Sequence, residues 1–244
     1  MIFELIKGNC QDIMPSILKK FKNRYICIVT DPPFNVGYHY NTYKDNMDEY
    51  EYYHWLKTIL GNVPKVVIHY PESLHRLSIE LNEIPDRVIS WVYNSNTPRQ
   101  HRDIAFYGIK PDFSKVKQPY KNLNDKRIQK RIKKGLIGAN IYDWWNINQI
   151  KNVSKEDKYL NHPCIMPIQV LINIIGLLPE DTIIIDPFLG SGTTGLACQI
   201  LNRDFIGIEI DPDYYDMAKG RLTDSYEKIQ SDNKTKSLEN WGIL

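Results

Sequence analysis

Contiguous runs of apolar and β-branched residues constrain this chain most. Tyr25-Ile26-Cys27-Ile28-Val29, Val66-Val67-Ile68, Thr182-Ile183-Ile184-Ile185 and Phe205-Ile206-Gly207-Ile208 are short and carry no polar alternation. A strand that faces water on one side alternates, whereas a strand covered on both faces reads as continuous hydrophobe. Helical segments separate the runs, at 12–21, 49–60, 73–81, 165–178, 191–201 and 213–226. Strands alternating with helices predict an α/β fold, doubly wound around a mostly parallel sheet. Phe3 to Lys7 and Val88 to Tyr93 add further strands.

The pattern breaks between about Asn94 and Leu160. That stretch is polar, basic and punctuated by Pro98, Pro111, Pro119, Gly135 and Gly138. It reads as an insert, not as core. The expected organisation is one catalytic domain from residues 1–93 and 161–226, an insert over 94–160, and a tail over 227–244. Ten Lys/Arg stand against two Asp between Lys110 and Lys134, a local charge of +8 in a chain whose formal total is +2. The remainder therefore carries −6. A basic segment on an acidic body suits a polyanion. Lys115, Lys117, Lys121, Lys126, Arg127, Lys130, Arg131, Lys133 and Lys134 are the candidate phosphate contacts. Arg99, Gln100 and Arg102 are of types that read base edges, although polar residues in a loop are usually just solvated.

Cys10, Cys27, Cys164 and Cys198 form no CxxC pair, which speaks against a zinc ribbon or a redox motif. No apolar stretch approaches the ~20 residues of a membrane span. A cytoplasmic protein without a resident metal is expected.

Two motifs carry chemistry. Asp31-Pro32-Pro33-Phe34 follows a buried-type strand, at the sheet edge where α/β proteins bind ligands. Two prolines remove two donors and stiffen the turn. They leave the Asp31 carboxylate and the Pro32 carbonyl as acceptors beside an aromatic face. This set can grip an amino group on a flat ring, with Phe34 stacked against the ring; such stacking contributes ~1–3 kcal/mol. In the second motif, Asp186-Pro187-Phe188-Leu189-Gly190-Ser191-Gly192-Thr193-Thr194 runs from strand through glycine turn into helix. Free N–H groups and the positive dipole end of that helix suit an anionic group. Glu209 ends the next strand, where an acid can hydrogen-bond ribose hydroxyls.

With both motifs placed, the chain resembles the β-class amino-methyltransferases of DNA. Asp31 to Phe34 resembles their catalytic D-P-P-[YF] motif, and Asp186 to Thr194 their cofactor motif. The order is catalytic motif, recognition region, cofactor motif, a permuted Rossmann-like arrangement. His162-Pro163-Cys164-Ile165-Met166-Pro167 resembles an H-P-x-x-K-P segment that closes over the cofactor, with Met166 in place of the lysine. Gly8-Asn9-Cys10 stands where relatives commonly have an acid near the cofactor's adenine. The resemblance covers about residues 3–37 and 142–222, which includes Asp143-Trp144-Trp145.

The resemblance implies S-adenosyl-L-methionine as cofactor and direct in-line methyl transfer to an exocyclic amine of a flipped base in double-stranded DNA. It implies Asp31, Pro32, Pro33 and Phe34 as catalytic residues. For the cofactor it implies Asn9, Cys10, His162, Pro163, Asp186, Pro187, Phe188, Gly190, Ser191, Gly192, Thr193 and Glu209. D-P-P-[YF] leans to adenine N6 over cytosine N4. Tyr38 or Tyr40 could extend the pocket, and His39 reads as a surface residue. A homodimer and a cognate restriction endonuclease are left open as partners. A degenerate subunit that only binds DNA is the competing reading.

Overall fold

Side-chain caps start several of the helices. Asn9 closes the first helix by accepting the Gln11 N–H at 2.9 Å, and Asp48 accepts from Tyr50 and Glu51 at the start of the second. The computed structural model describes residues 2–150 and 165–231. In chain order the elements are β1 (Phe3–Lys7), α1 (Cys10–Lys20), β2 (Ile26–Thr30), α2 (Glu49–Leu60), β3 (Lys65–His69) and α3 (Pro71–Leu81). Then follow β4 (Arg87–Val92), β5 (His101–Tyr107), β6 (Lys117–Gln118), α4 (Lys126–Lys133), β7 (Ala139–Asn140) and β8 (Trp144–Asn146). The last set is α5 (Ile168–Gly176), β9 (Ile183–Asp186), α6 (Thr193–Ile200), β10 (Phe205–Glu209) and α7 (Pro212–Ser231).

Eight strands form one sheet in the order β1-β10-β9-β2-β3-β5-β4-β8. Within it only β5 runs against the others. Side chains alternate faces along each strand. Cys27 and Val29 of β2, with Val66 and Ile68 of β3, pack with Val170, Ile174, Ala197 and Ala218 of α5, α6 and α7. Ile26 and Ile28, with Val67, pack with Met14, Leu56, Leu60 and Leu77 of α1, α2 and α3. The sheet is thus covered on both faces, which is the doubly wound α/β architecture expected, with the carboxyl ends of β2, β9 and β10 along one edge.

The expected insert is corrected in one part. Residues 101–107 form β5, hydrogen-bonded between β3 and β4, with Ile104, Ala105, Phe106 and Tyr107 fully buried. Trp144–Asn146 adds β8 alongside β4. The strand escaped the sequence pattern because its first three residues, His101-Arg102-Asp103, are polar. Residues 117–140 do stand off the sheet, as the β6–β7 pair and α4. The tail expected over 227–244 lies largely outside the described residues.

Candidate active site

Asp31-Pro32-Pro33-Phe34 leaves the end of β2 and is fixed by a hydrogen-bond relay from the neighbouring strand. The Tyr70 N–H donates to His69 Nδ1 at 2.8 Å, so the ring's proton sits on Nε2, which donates to Tyr52 Oη at 2.9 Å. Tyr52 Oη donates to the Pro33 carbonyl at 2.5 Å. Burial, reinforced by Arg102 and Arg99, pushes the His69 imidazole down to about 3, so the relay stays neutral. The Pro33 carbonyl is consumed. Two acceptors are not: Asp31 Oδ1 is buried with no hydrogen-bond partner, and the Pro32 carbonyl accepts none among the described residues.

Asp31 Oδ2 faces the Arg102 guanidinium at 3.5 Å. Burial pushes the Asp31 carboxyl up to about 6; Arg102 pulls it down and Asp186 pushes it up. Phe34 stacks on His69 with ring centres 4.3 Å apart, and the Arg102 guanidinium carbon lies 4.5 Å from the Phe34 centre. Two groups at that height cannot share a face, so His69 holds one face of Phe34 and Arg102 the other. The expected loop setting of Arg102 is therefore corrected: it lies on β5, and its reversed direction brings the start of that strand to the ligand-binding edge.

The second motif lines the same cleft, a cavity of about 430 Å³, within the ~300–1,000 Å³ typical of small-molecule sites. Asp186 is not a free acid. It accepts from Thr194 Oγ1 at 2.6 Å, the Phe188 N–H at 3.1 Å and Thr30 Oγ1 at 3.2 Å. Thr30 precedes Asp31, so this carboxylate ties the two motifs together. Burial pushes it up to about 6 against those hydrogen bonds. Glu209 accepts from the N–H groups of Gly190 at 2.7 Å and Asp211 at 2.9 Å, which leaves lone pairs for a further donor. Burial raises its carboxyl as well.

Gly192 carries φ +78°, and a Cβ there would meet Ala218 Cβ at 3.2 Å, so the turn needs glycine. No side chain caps the start of α6. Beneath the loop, buried Arg221 of α7 donates to the Ser191 carbonyl at 2.9 Å and to Thr193 Oγ1 at 3.0 Å. Asn9, Cys10, Pro187, Phe188, Gly190, Ser191, Thr193 and Glu209 line the cleft, whereas Gly192 backs onto α7. Burial pushes the Cys10 thiol up to about 12, so it is neutral. Met166 lines the cleft from within an apolar cluster, where a lysine would lose its hydration. His162 and Pro163 lie outside the described residues.

The loop after Phe34 folds back over the cleft around Asp45, which accepts N–H bonds from Asn35, Val36 and Tyr38 at 2.7–3.0 Å. It carries Tyr40 and Tyr43, the latter stacked on Trp55 with centres 5.7 Å apart. His39 is exposed.

All nine candidate phosphate contacts are exposed. No residue of α4 is buried. Lys117 donates to Asn140 Oδ1, Lys121 lies over Tyr142 and Trp144, and Arg127 pairs with Asp125 at 3.1 Å. Sequence reasoning missed His69, Tyr52 and Arg221. His69 had a signal, being a polar residue at the carboxyl end of a buried strand, the rule that singled out Asp31.

A two-faced sheet with a glycine loop and an acidic proline turn on one edge is the architecture of Rossmann-like methyltransferases. The solved complex of M1.HpyAVI with SAM aligns with a TM-score of 0.55 at 22% identity, covering 91% of this chain and 100% of that one. The cytosine-N4-specific PvuII DNA methyltransferase aligns at 0.61 and 18%, covering 96% and 94%. A family model described as DNA methylase, of the N6/N4 type, matches residues 26–220, and the chain belongs to that family. Among its relatives, the type II methyltransferase M.HpaI of Haemophilus parainfluenzae is 28% identical over 95% of this chain and 79% of its own length. M.ScaI of Streptomyces caespitosus is 27% identical over 80% and 73%.

Proposed function

We propose that the protein transfers a methyl group to the exocyclic amine of a specific base in double-stranded DNA, adenine N6 in preference to cytosine N4. The observation that carries this reading is the pair of unused acceptors, Asp31 Oδ1 and the Pro32 carbonyl, beside Phe34 in the same cleft as the Gly190–Thr193 loop. An amine has two N–H bonds and needs two acceptors. Buried acceptors without partners are costly, so a ligand that fills both is strongly selected.

S-adenosylmethionine suits the rest of the cleft. Ser191 and the uncapped start of α6 would take its carboxylate, Glu209 its ribose, and Phe188 an aromatic face. When bound it supplies an electrophilic methyl on a sulfonium. Asp31 and Pro32 then hold the amine and draw its hydrogens into the plane of the acceptors. That would free the nitrogen lone pair for in-line attack on the methyl, with the sulfur leaving as a neutral thioether. The amine proton released is already directed at the Asp31 carboxylate. The reacting nitrogen of a paired base is inaccessible, so the base must leave the stack. The adenine preference comes from the D-P-P-F form of the turn. Exposed cations over 115–134 would meet phosphates.

Incubation with labelled S-adenosylmethionine and DNA, followed by nucleoside analysis, tests this. N6-methyladenine supports the reading and N4-methylcytosine moves it to the other base. No methylated base, with cofactor binding intact, refutes the enzyme and leaves a DNA-binding subunit. Relatives are type II methyltransferases, so a cognate endonuclease is the partner to seek.

A further inference from the structure

The guanidinium of Arg102 lies where the ring of the target base has to stack. It is 3.5 Å from Asp31 Oδ2 and 4.5 Å from the centre of Phe34, with only 14% of the side chain exposed. It takes the Phe34 face that His69 leaves. A guanidinium shares its recognition features with an aminated base: it is planar, it presents N–H donors along its edge, and it stacks on aromatic rings.

We propose that Arg102 is an internal occupant of the Phe34 face beside the amine subsite, which the extruded base displaces, so that this side chain sets how readily a base enters. The proposal rests on the reading of Asp31 to Phe34 as the amine site. A buried carboxylate left alone is costly, and Arg102 offsets that cost until a base amine takes over.

The displaced side chain has somewhere to go. Arg102 forms the wall between the reaction cleft and a second cavity of about 510 Å³, lined also by Tyr70, Tyr93 and Arg99. It lies 5.9 Å from the Tyr70 ring and 5.4 Å from that of Trp91. Turned toward that cavity, the guanidinium keeps an aromatic face. Binding to a subsite that is open only part of the time is weakened by the open fraction. Removing the occupant therefore tightens base capture.

The test uses the full chain and a duplex containing its methylated site, found by sequencing DNA from expressing cells. 2-Aminopurine replaces the base stacked beside the target, so that it brightens when the target leaves the stack and the target keeps its own amine. A second duplex is abasic at the target. Arg102→Ala and Arg102→Met should raise the flipped fraction. They should also improve the affinity ratio of base-bearing to abasic duplex by roughly three- to tenfold. The ratio cancels the general loss of one cation. Arg24→Ala loses the same charge at a residue that lines neither cavity and should leave the ratio unchanged. If Arg102→Ala melts early, Arg102→Met keeps the length and carries the test. An unchanged or lower ratio overturns the proposal, as does an equal gain for Arg24→Ala. If Asp31→Ala leaves methylation intact, the amine-site reading itself fails, and that result is separate from the Arg102 ratio.

Discussion

Tyr52 Oη donates to the Pro33 carbonyl at 2.5 Å, and His69 Nε2 donates to the same oxygen of Tyr52. Neither residue carries the reaction. Together they determine which carbonyl of the proline turn is spent on structure and which is left for a ligand. Tyr52→Phe removes the donor without changing shape. Loss of one such hydrogen bond, about 1 kcal/mol, should slow single-turnover methylation by roughly fivefold. Cofactor affinity by calorimetry should not move, because Tyr52 does not line the cleft. Unchanged turnover would show that the prolines alone hold the turn.

Acid should slow the reaction well before it destabilises the protein. Asp31 and Asp186 are both pushed up to about 6 by burial, against roughly 3.9 in an unfolded chain. Between those values these two groups bind more protons in the folded state than in the unfolded state, so their contribution to stability rises as pH falls. The gain is complete below about 4 and is lost as pH rises through about 6. Activity needs ionised Asp31, so its acid limb should fall near pH 6. Asp112 and Asp125 shift the other way, held low by Ser114 and Arg127 respectively, and their loss begins only below the ordinary carboxylate range. His69 works against Asp31 and Asp186, since its imidazole, pushed down to about 3, binds fewer protons folded than unfolded below about 6.5; a melting temperature nearly level from pH 7 to 5 while kcat falls is the expected pair. An acid limb that persists in Asp31→Asn would assign it to another group.

Asp186 is predicted to act on stability before it acts on ligand. Thr194→Val removes its 2.6 Å donor and leaves a buried carboxylate oxygen unpaired. The cost should be about 1–3 kcal/mol, seen as a melting temperature lower by roughly 2–12 °C for a chain of this size. Thr194→Ser restores the hydroxyl and should recover most of it. Equal loss in the serine variant would point to the methyl group's packing instead.

The doubly wound core was legible because its strands are covered on both faces and so read as unbroken apolar runs; Glu49–Leu60 and Phe3–Lys7 even match end to end. β5 was not, and the reason is functional. Its start reaches the ligand edge and is polar, so only Ile104 to Tyr107 looks like core. α4 was missed because no residue of it is buried, leaving no apolar stripe to read. In the site, the two motifs declared their backbone chemistry, but Arg102, Tyr52 and His69 come from three other elements. Only tertiary structure brings them to Phe34 and Pro33.

Helix α4 should matter to DNA and not to folding. Lys126, Arg127, Lys130, Arg131 and Lys133 all face solvent, and none of its side chains joins a core. Lys130→Gln, Arg131→Gln and Lys133→Gln combined should leave the melting temperature within about 1 °C, since exposed charges contribute little to stability. Each phosphate that is no longer neutralised should reduce the slope of log affinity against log salt by about 0.9. If two or three of these cations each meet a phosphate, the triple variant flattens the slope by roughly two to three units. Its affinity should fall about equally for site and non-site DNA, because cations on phosphates carry no sequence information. Titrations over a salt series with both duplexes measure this. A selective loss on site DNA would instead make α4 a reader of bases, and an unchanged slope would move phosphate binding off this helix altogether.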